Sequence, residues 1–251
     1  MMKRMLLGAV ALLALGAVAP AVAADLPPAP AYKAPVAMMP ALYDWSGVYV
    51  GVNGGWGTAN RCFDQTGPTV IGPDGCHNTS GGFAGAQAGY RWQTGSWVWG
   101  FEALGDWASL RGSSVSQLTP ANTDRSRIDA FGLFTGQIGY AWNTALFYFK
   151  GGGAVVADRN DMILTNGGTL VATSSGDNRW GGAVGAGVEF SFAPNWSAAL
   201  EYDHLFIANA NTTFTNPVGG AVVSTDRIHG DADLVSVRVN YRWGGPVVAK
   251  Y

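Results

Sequence analysis

The chain has 251 residues, 13% of them charged, and a formal net charge of −2. Soluble domains average about 25% charged residues, so the deficit argues against a wholly water-facing surface, and a near-neutral balance excludes the basic footprint of a nucleic-acid binder. Glycine (36) and tryptophan (10) are heavily used, which suits strands and tight turns better than helices.

Residues 1–23 start with Lys3 and Arg4, continue through an apolar run from Met5 to Ala19 and end on small residues around Ala21 and Ala23. This reads as a signal peptide cleaved near Ala23 or Ala24; the run is short of the roughly 20 apolar residues that a spanning helix needs. Cleavage removes two of the 15 basic residues and none of the 17 acidic ones, leaving −4. Residues 24–44 hold five of the 12 prolines and read as an extended periplasmic linker. A cell-wall-binding segment is the alternative there, with Lys33 as its main support. No later stretch reaches 18 uninterrupted apolar residues, so entry into a membrane requires a closed barrel.

Residues 45–243 contain eight segments that alternate with period two, as barrel strands do when apolar side chains face lipid and polar or small ones face the lumen. In the first, Val48, Val50, Val52 and Trp56 oppose Gly51, Asn53 and Gly55, while Trp45 and Tyr49 sit off parity. The second sets Ala84 to Trp92 against Gln87 and Arg91, and the third sets Trp97, Trp99 and Phe101 against Glu102 and Asp106. The fourth places Phe134, Ile138, Tyr140 and Trp142 outside, with Phe131 and Leu133 breaking the pattern. Asn143-Thr144 then turns into the fifth, where Phe147 and Phe149 oppose Tyr148 and Lys150. The last three put Val184 to Phe192, Trp196 to Tyr202 and Val235 to Trp243 outside. Their inward rows carry Glu189, then Glu201 and Asp203, then Arg238, Asn240 and Arg242.

Trp92, Trp142, Phe192 and Trp243 close alternate strands at spacings of 50, 50 and 51 residues, and Trp97, Phe147 and Trp196 open the strands that follow the first three. This predicts an aromatic girdle at the periplasmic interface and a fourfold hairpin repeat. The expected fold is therefore all-β: an eight-stranded antiparallel transmembrane barrel with short periplasmic turns. Four polar segments, roughly 58–81, 109–126, 158–179 and 208–232, are expected to be its long extracellular loops.

Counting about five residues inward from the girdle reaches Gln87, Glu102, Gln137, Lys150, Glu201 and Arg238, with Glu189 close by on the same face. The chain has only three glutamates, and all fall in this layer. Adjacent strands suggest pairing Glu201 with Arg238 and Glu189 with Lys150, leaving Glu102 to reach Lys150 or hold a proton. An eight-stranded barrel is just wide enough for side chains to fill, so the layer is expected to plug the lumen; water-facing charges and an ion-selectivity ring are the alternatives.

Cys62 and Cys76 fall in the first extracellular segment, where an exported chain meets oxidising conditions and forms a disulfide. His77 beside them makes a weak metal case with no fourth ligand. His204 and His229 show no catalytic constellation, since Asp203 and His204 point to opposite faces and no nucleophile lies near His229. The expectation is a non-enzyme without cofactor or metal.

DLPPAPAYKAP followed by YDWSGVYVGVNGGWG, with the ending NYRWGGPVVAKY, resembles the outer-membrane immunogenic protein family of alphaproteobacteria. The resemblance implies an eight-stranded barrel in the bacterial outer membrane, described among relatives as surface antigen, porin-like protein and, in some, haemin binder. Its partners are then outer-membrane lipid and the outer-membrane assembly machinery. Residues 244–251 form a C-terminal extension, so either Trp243 or Tyr251 serves as the terminal aromatic signal. Three functions follow: a structural, surface-exposed barrel with a filled lumen, a narrow passive porin-like channel, or a loop-mediated binder of a ligand or host factor.

Overall fold

The computed structural model describes residues 43–67, 71–174 and 177–243. The expected signal peptide, nearly all of the linker and the C-terminal extension lie outside the described residues. The strands are β1 Gly47–Gly67, β2 Gly72–Thr94, β3 Trp97–Val115, β4 Asn122–Trp142, β5 Ala145–Leu164, β6 Leu170–Ser174, β7 Asp177–Ala193, β8 Trp196–Thr215 and β9 Val222–Trp243. Eight of them form a closed antiparallel ring, because β1 pairs with both β2 and β9 while β5 pairs with both β4 and β7. The short β6 stands apart from this ring, bridging the outer ends of β5 and β8.

Tight turns close the periplasmic end. Gly95, between β2 and β3, has φ 62°, and Asn143, between β4 and β5, has φ 53°. Glycine and asparagine tolerate this left-handed region best, which is why two-residue hairpin turns select them.

The ring strands are 17 to 23 residues long, whereas a tilted strand needs about 9–11 to cross a bilayer. The barrel wall therefore continues well outside the membrane. The four polar segments expected as extracellular loops are built mainly as these strand extensions, joined by short connections such as 116–121 and 216–221.

The polarity of the wall inverts along its length. In the membrane span the outward side chains are apolar and exposed, among them Val50, Phe101, Phe134, Phe149 and Leu200. In the extension Phe63, Met162, Phe214 and Ile228 point inward as a buried cluster, while Asn60, Ser80, Arg111 and Arg127 face outward. The solvent explains the change, since apolar groups face lipid in one zone and withdraw from water in the other. Register shifts mark the crossover on β3 between Trp107 and Leu110, on β4 between Ile128 and Ala130, and on β8 between Ile207 and Ala210.

The candidate functional site

The girdle residues Trp92, Trp97, Trp142, Phe147, Phe192, Trp196 and Trp243 are all exposed on the outer face. Trp97 meets Tyr140 edge to face at 5.6 Å, and Trp196 meets Tyr241 at 5.1 Å. A second exposed aromatic row, Trp56, Trp107, Trp180 and Phe206, borders the span on its extracellular side.

Inside, the seven polar residues singled out by spacing lie on one continuous path of contacts. Gln87 donates to Asn240 Oδ1 at 2.8 Å, and Asn240 donates to Glu189 Oε1 at 2.9 Å. Glu189 pairs with Arg91 at 2.8 Å, and the Arg91 Nε donates to Gln137 Oε1 at 3.2 Å. Gln137 donates to the Tyr49 hydroxyl at 3.0 Å, which donates to Glu102 Oε2 at 2.7 Å. Arg238 bridges Glu102 and Glu201, one amino group on each carboxylate. Lys150 Nζ completes the path, 2.6 Å from Glu201, 3.1 Å from Asp203 and 3.7 Å from Glu102.

The Lys150 and Arg238 side chains are 0% exposed. Buried charges persist only when paired and hydrogen-bonded, and the carboxylates of Glu102, Glu201 and Asp203 supply that pairing here. Glu102 reaches Lys150 and Glu201 meets Arg238, but Glu189 does not pair with Lys150. The register explains the departure: Glu189 lies opposite Leu146, whereas Lys150 lies opposite Gly185, four residues further from the periplasm. Glu189 stands three residues in from Phe192 and Lys150 five in from Ala145, and the stagger between β5 and β7 adds to that difference in depth.

Spacing alone misses several members. Arg91 stacks over Tyr49, 4.3 Å from its ring centroid. Tyr148 donates to Glu201 Oε2 at 2.5 Å, and Asn53 donates to Gln87 at 2.9 Å. The available signals were parity: Arg91, Tyr148, Asp203 and Asn240 occupy inward rows, and Tyr49 faces inward because its neighbours Val48 and Val50 face lipid.

Apolar layers flank the network. Trp45, Val98, Ala141 and Leu146 cover its periplasmic side. Phe83, Leu104, Phe131, Leu133, Leu205 and Leu234 belong to the layer on its extracellular side. Phe131 and Leu133, off the expected lipid-facing row, are therefore lumen residues; Phe131 packs edge to face on Phe83 at 5.2 Å.

In the extension, Asp158 binds Arg61 at 2.9 Å and Arg179 at 3.4 Å. Cys62 and Cys76 are directly opposed on β1 and β2 and form a disulfide. His77 stacks on Phe63 at 5.4 Å, with its Nδ1 3.1 Å from Ser114 Oγ, and burial together with the Arg61 charge lowers its pKa. His229 lies 3.6 Å from Asp64, and His204 contacts Asp233 at 2.8 Å on the outer face, away from inward-facing Asp203. Buried Asp74, Asp124 and Asp226 gather near the outer end. Burial, then the charges of Asp74 and Asp226, pushes Asp124 up to about 7; burial and the Asp74 charge push Asp226 up to about 6.

A ring of eight strands with an apolar belt between two aromatic rows and charges turned inward defines a transmembrane β-barrel of the outer-membrane type. The sequence matches the outer membrane protein beta-barrel domain over residues 9–243, and the chain belongs to that family. It is 28% identical over 192 residues to the 31 kDa outer-membrane immunogenic protein of Brucella melitensis biotype 1, covering 71% of this chain and 78% of that relative. The protein of the same name from Brucella suis biovar 1 gives the same identity and coverage. Among solved structures, the outer membrane protein OprG from Pseudomonas aeruginosa is similar, with a TM-score of 0.46 at 10% identity, covering 80% of this chain and 99% of that one. The protein is an outer-membrane protein.

Proposed function

We propose that the barrel is a structural, surface-exposed envelope protein whose lumen is closed by its own side chains and which displays its extracellular extension to the outside. The carrying observation is the two-level filling of the lumen: the Lys150 network at one depth and the Leu104, Phe131 and Leu133 layer above it. An apolar layer gives ions no replacement for their hydration shell, and the paired charges below it leave no open selectivity ring. The immunogenic relatives support the display part of this reading. Catalysis has no part in it, and neither does a cofactor.

Planar-bilayer recording of the purified, folded protein tests it. The expected result is a baseline without reproducible steps, in wild type and in Glu102→Gln alike. Steady single-channel openings in wild type, altered in size by Glu102→Gln or Lys150→Met, overturn the closed lumen and establish the narrow channel instead.

A further inference from the structure

The outer face of the extension carries an uneven set of charges that the closed-lumen reading does not use. Arg111 on β3, Arg127 on β4 and Arg159 on β5 lie directly opposite one another in the register, and all three are exposed. Neighbouring strands are about 4.8 Å apart, so three guanidinium groups stand side by side on one face. Arg125, also exposed, sits one step further out. Like charges directly opposed across a ladder are destabilising by themselves. Of these four arginines, only Arg127 has a carboxylate within ion-pair distance among the described residues, that of Asp129. Arg111, Arg125, Arg127 and Ser113 line a shallow groove with Asp161 at one side.

The height of this row matters. Arg111 is four residues beyond the exposed Trp107 of the upper aromatic row. With strands tilted by about 40° and rising about 3.4 Å per residue, that is about 10 Å above the apolar belt. Lipid headgroups occupy this level. The other side of the barrel has the opposite character, with Asp231 and Asp233 exposed on β9, Asp64 half-buried on β1, and Arg227 opposite Asp64.

We infer that the β3–β5 face binds the phosphorylated headgroup of an outer-leaflet glycolipid, with Arg111, Arg127 and Arg159 as the phosphate ligands. Guanidinium groups suit phosphate because their forked donors meet two oxygens at once, and basic patches at headgroup height bind anionic lipid in other membrane proteins. The lipid is thereby held against one side of the barrel.

The test is titration of fluorescent bisphosphorylated lipid A into the full-length protein in zwitterionic micelles. Simultaneous Arg111→Gln, Arg127→Gln and Arg159→Gln is expected to weaken binding by about tenfold or more, while Arg227→Gln leaves it unchanged. Lipid A stripped of phosphate is expected to compete poorly, and millimolar inorganic phosphate not to displace the lipid. Equal affinity in the triple variant, equal competition by the stripped lipid, or loss of binding in Arg227→Gln overturns the proposal. Displacement by inorganic phosphate also overturns it, making the patch a free-anion site. Folding of each variant is read from its heat-dependent gel mobility. If the triple variant does not fold, Arg159→Gln alone is expected to weaken binding about threefold, and no change overturns the proposal.

Discussion

Lys150 on β5 reaches Glu201 on β8 at 2.6 Å by crossing over β7, whose facing positions are Gly185 and Gly187. Gly185 lies between Lys150 and Asp203 in the register, and Gly187 lies between Tyr148 and Glu201. A Cβ on Gly187 falls 2.5 Å from the Tyr148 ring, and one on Gly185 falls 2.1 Å from Asp203 Oδ1. The two glycines are the gap through which the side chains of β5 and β8 meet.

Gly187→Ala is accordingly expected to displace the Tyr148 ring and break its 2.5 Å hydrogen bond to Glu201. Overpacking of this kind costs about 1–3 kcal/mol. Urea unfolding in detergent, followed by tryptophan fluorescence, reads the loss. Gly105→Ala, where a Cβ meets nothing within 4 Å, is the control and is expected to stay close to wild type.

Lys150→Met leaves Asp203 buried without its cation and Glu201 with Arg238 alone. Breaking a buried pair from one side costs about 3–5 kcal/mol, and the same unfolding experiment is expected to show a loss of that size. Adding Asp203→Asn to Lys150→Met, which removes the carboxylate left without a cation, is expected to recover part of it. A double variant no better than the single one contradicts the pairing.

The outer end is expected to be more stable in mild acid. Asp124, raised to about 7, and Asp226, raised to about 6, hold protons in the folded protein at pH values where an unfolded chain has released them. Their contribution is full below about pH 4, the ordinary aspartate value, and is lost as pH rises through about 6 and 7. Hydrogen exchange of 116–126 and 222–228, after correction for the intrinsic pH dependence of exchange, is expected to show greater protection at about pH 5 than at about pH 8. Asp124→Asn is expected to narrow the difference.

Reduction of the Cys62–Cys76 disulfide, or Cys62→Ser with Cys76→Ser, frees a hairpin end that spans a sequence separation of 14. The loss is about 3 kcal/mol in the chain-entropy view, and it is confined to the tip because the rest of the β1–β2 ladder remains. Protease added to intact cells is expected to cut between 63 and 75 only after reduction.

The membrane span was legible because two constraints act together there: lipid demands one outward chemistry and strand geometry demands period two. Val48 to Trp56, Trp97 to Ala103 and Val235 to Trp243 follow both. The lumen was legible in its members more than in its pairings. Glu102, Lys150, Glu201 and Arg238 meet, yet Glu189 goes to Arg91 because stagger between strands does not appear in a count along any one of them. Phe131 and Leu133 read as defects of alternation because apolar residues were assigned to lipid, and the barrel uses them to fill its interior. The strand extensions read as loops because water lies outside them: Asn, Thr, Ser and Arg face outward, and the sparse inward row of Phe63, Met162, Phe214 and Ile228 is easy to overlook.

That inversion separates two kinds of evolutionary freedom. Above the bilayer, the side chains that face water and those that hold the wall together alternate along the same strand, on opposite faces. Apart from the arginines inferred above to hold lipid, the outward row is free to change composition while the packed row behind it keeps its register, so one strand carries a variable face and a fixed one.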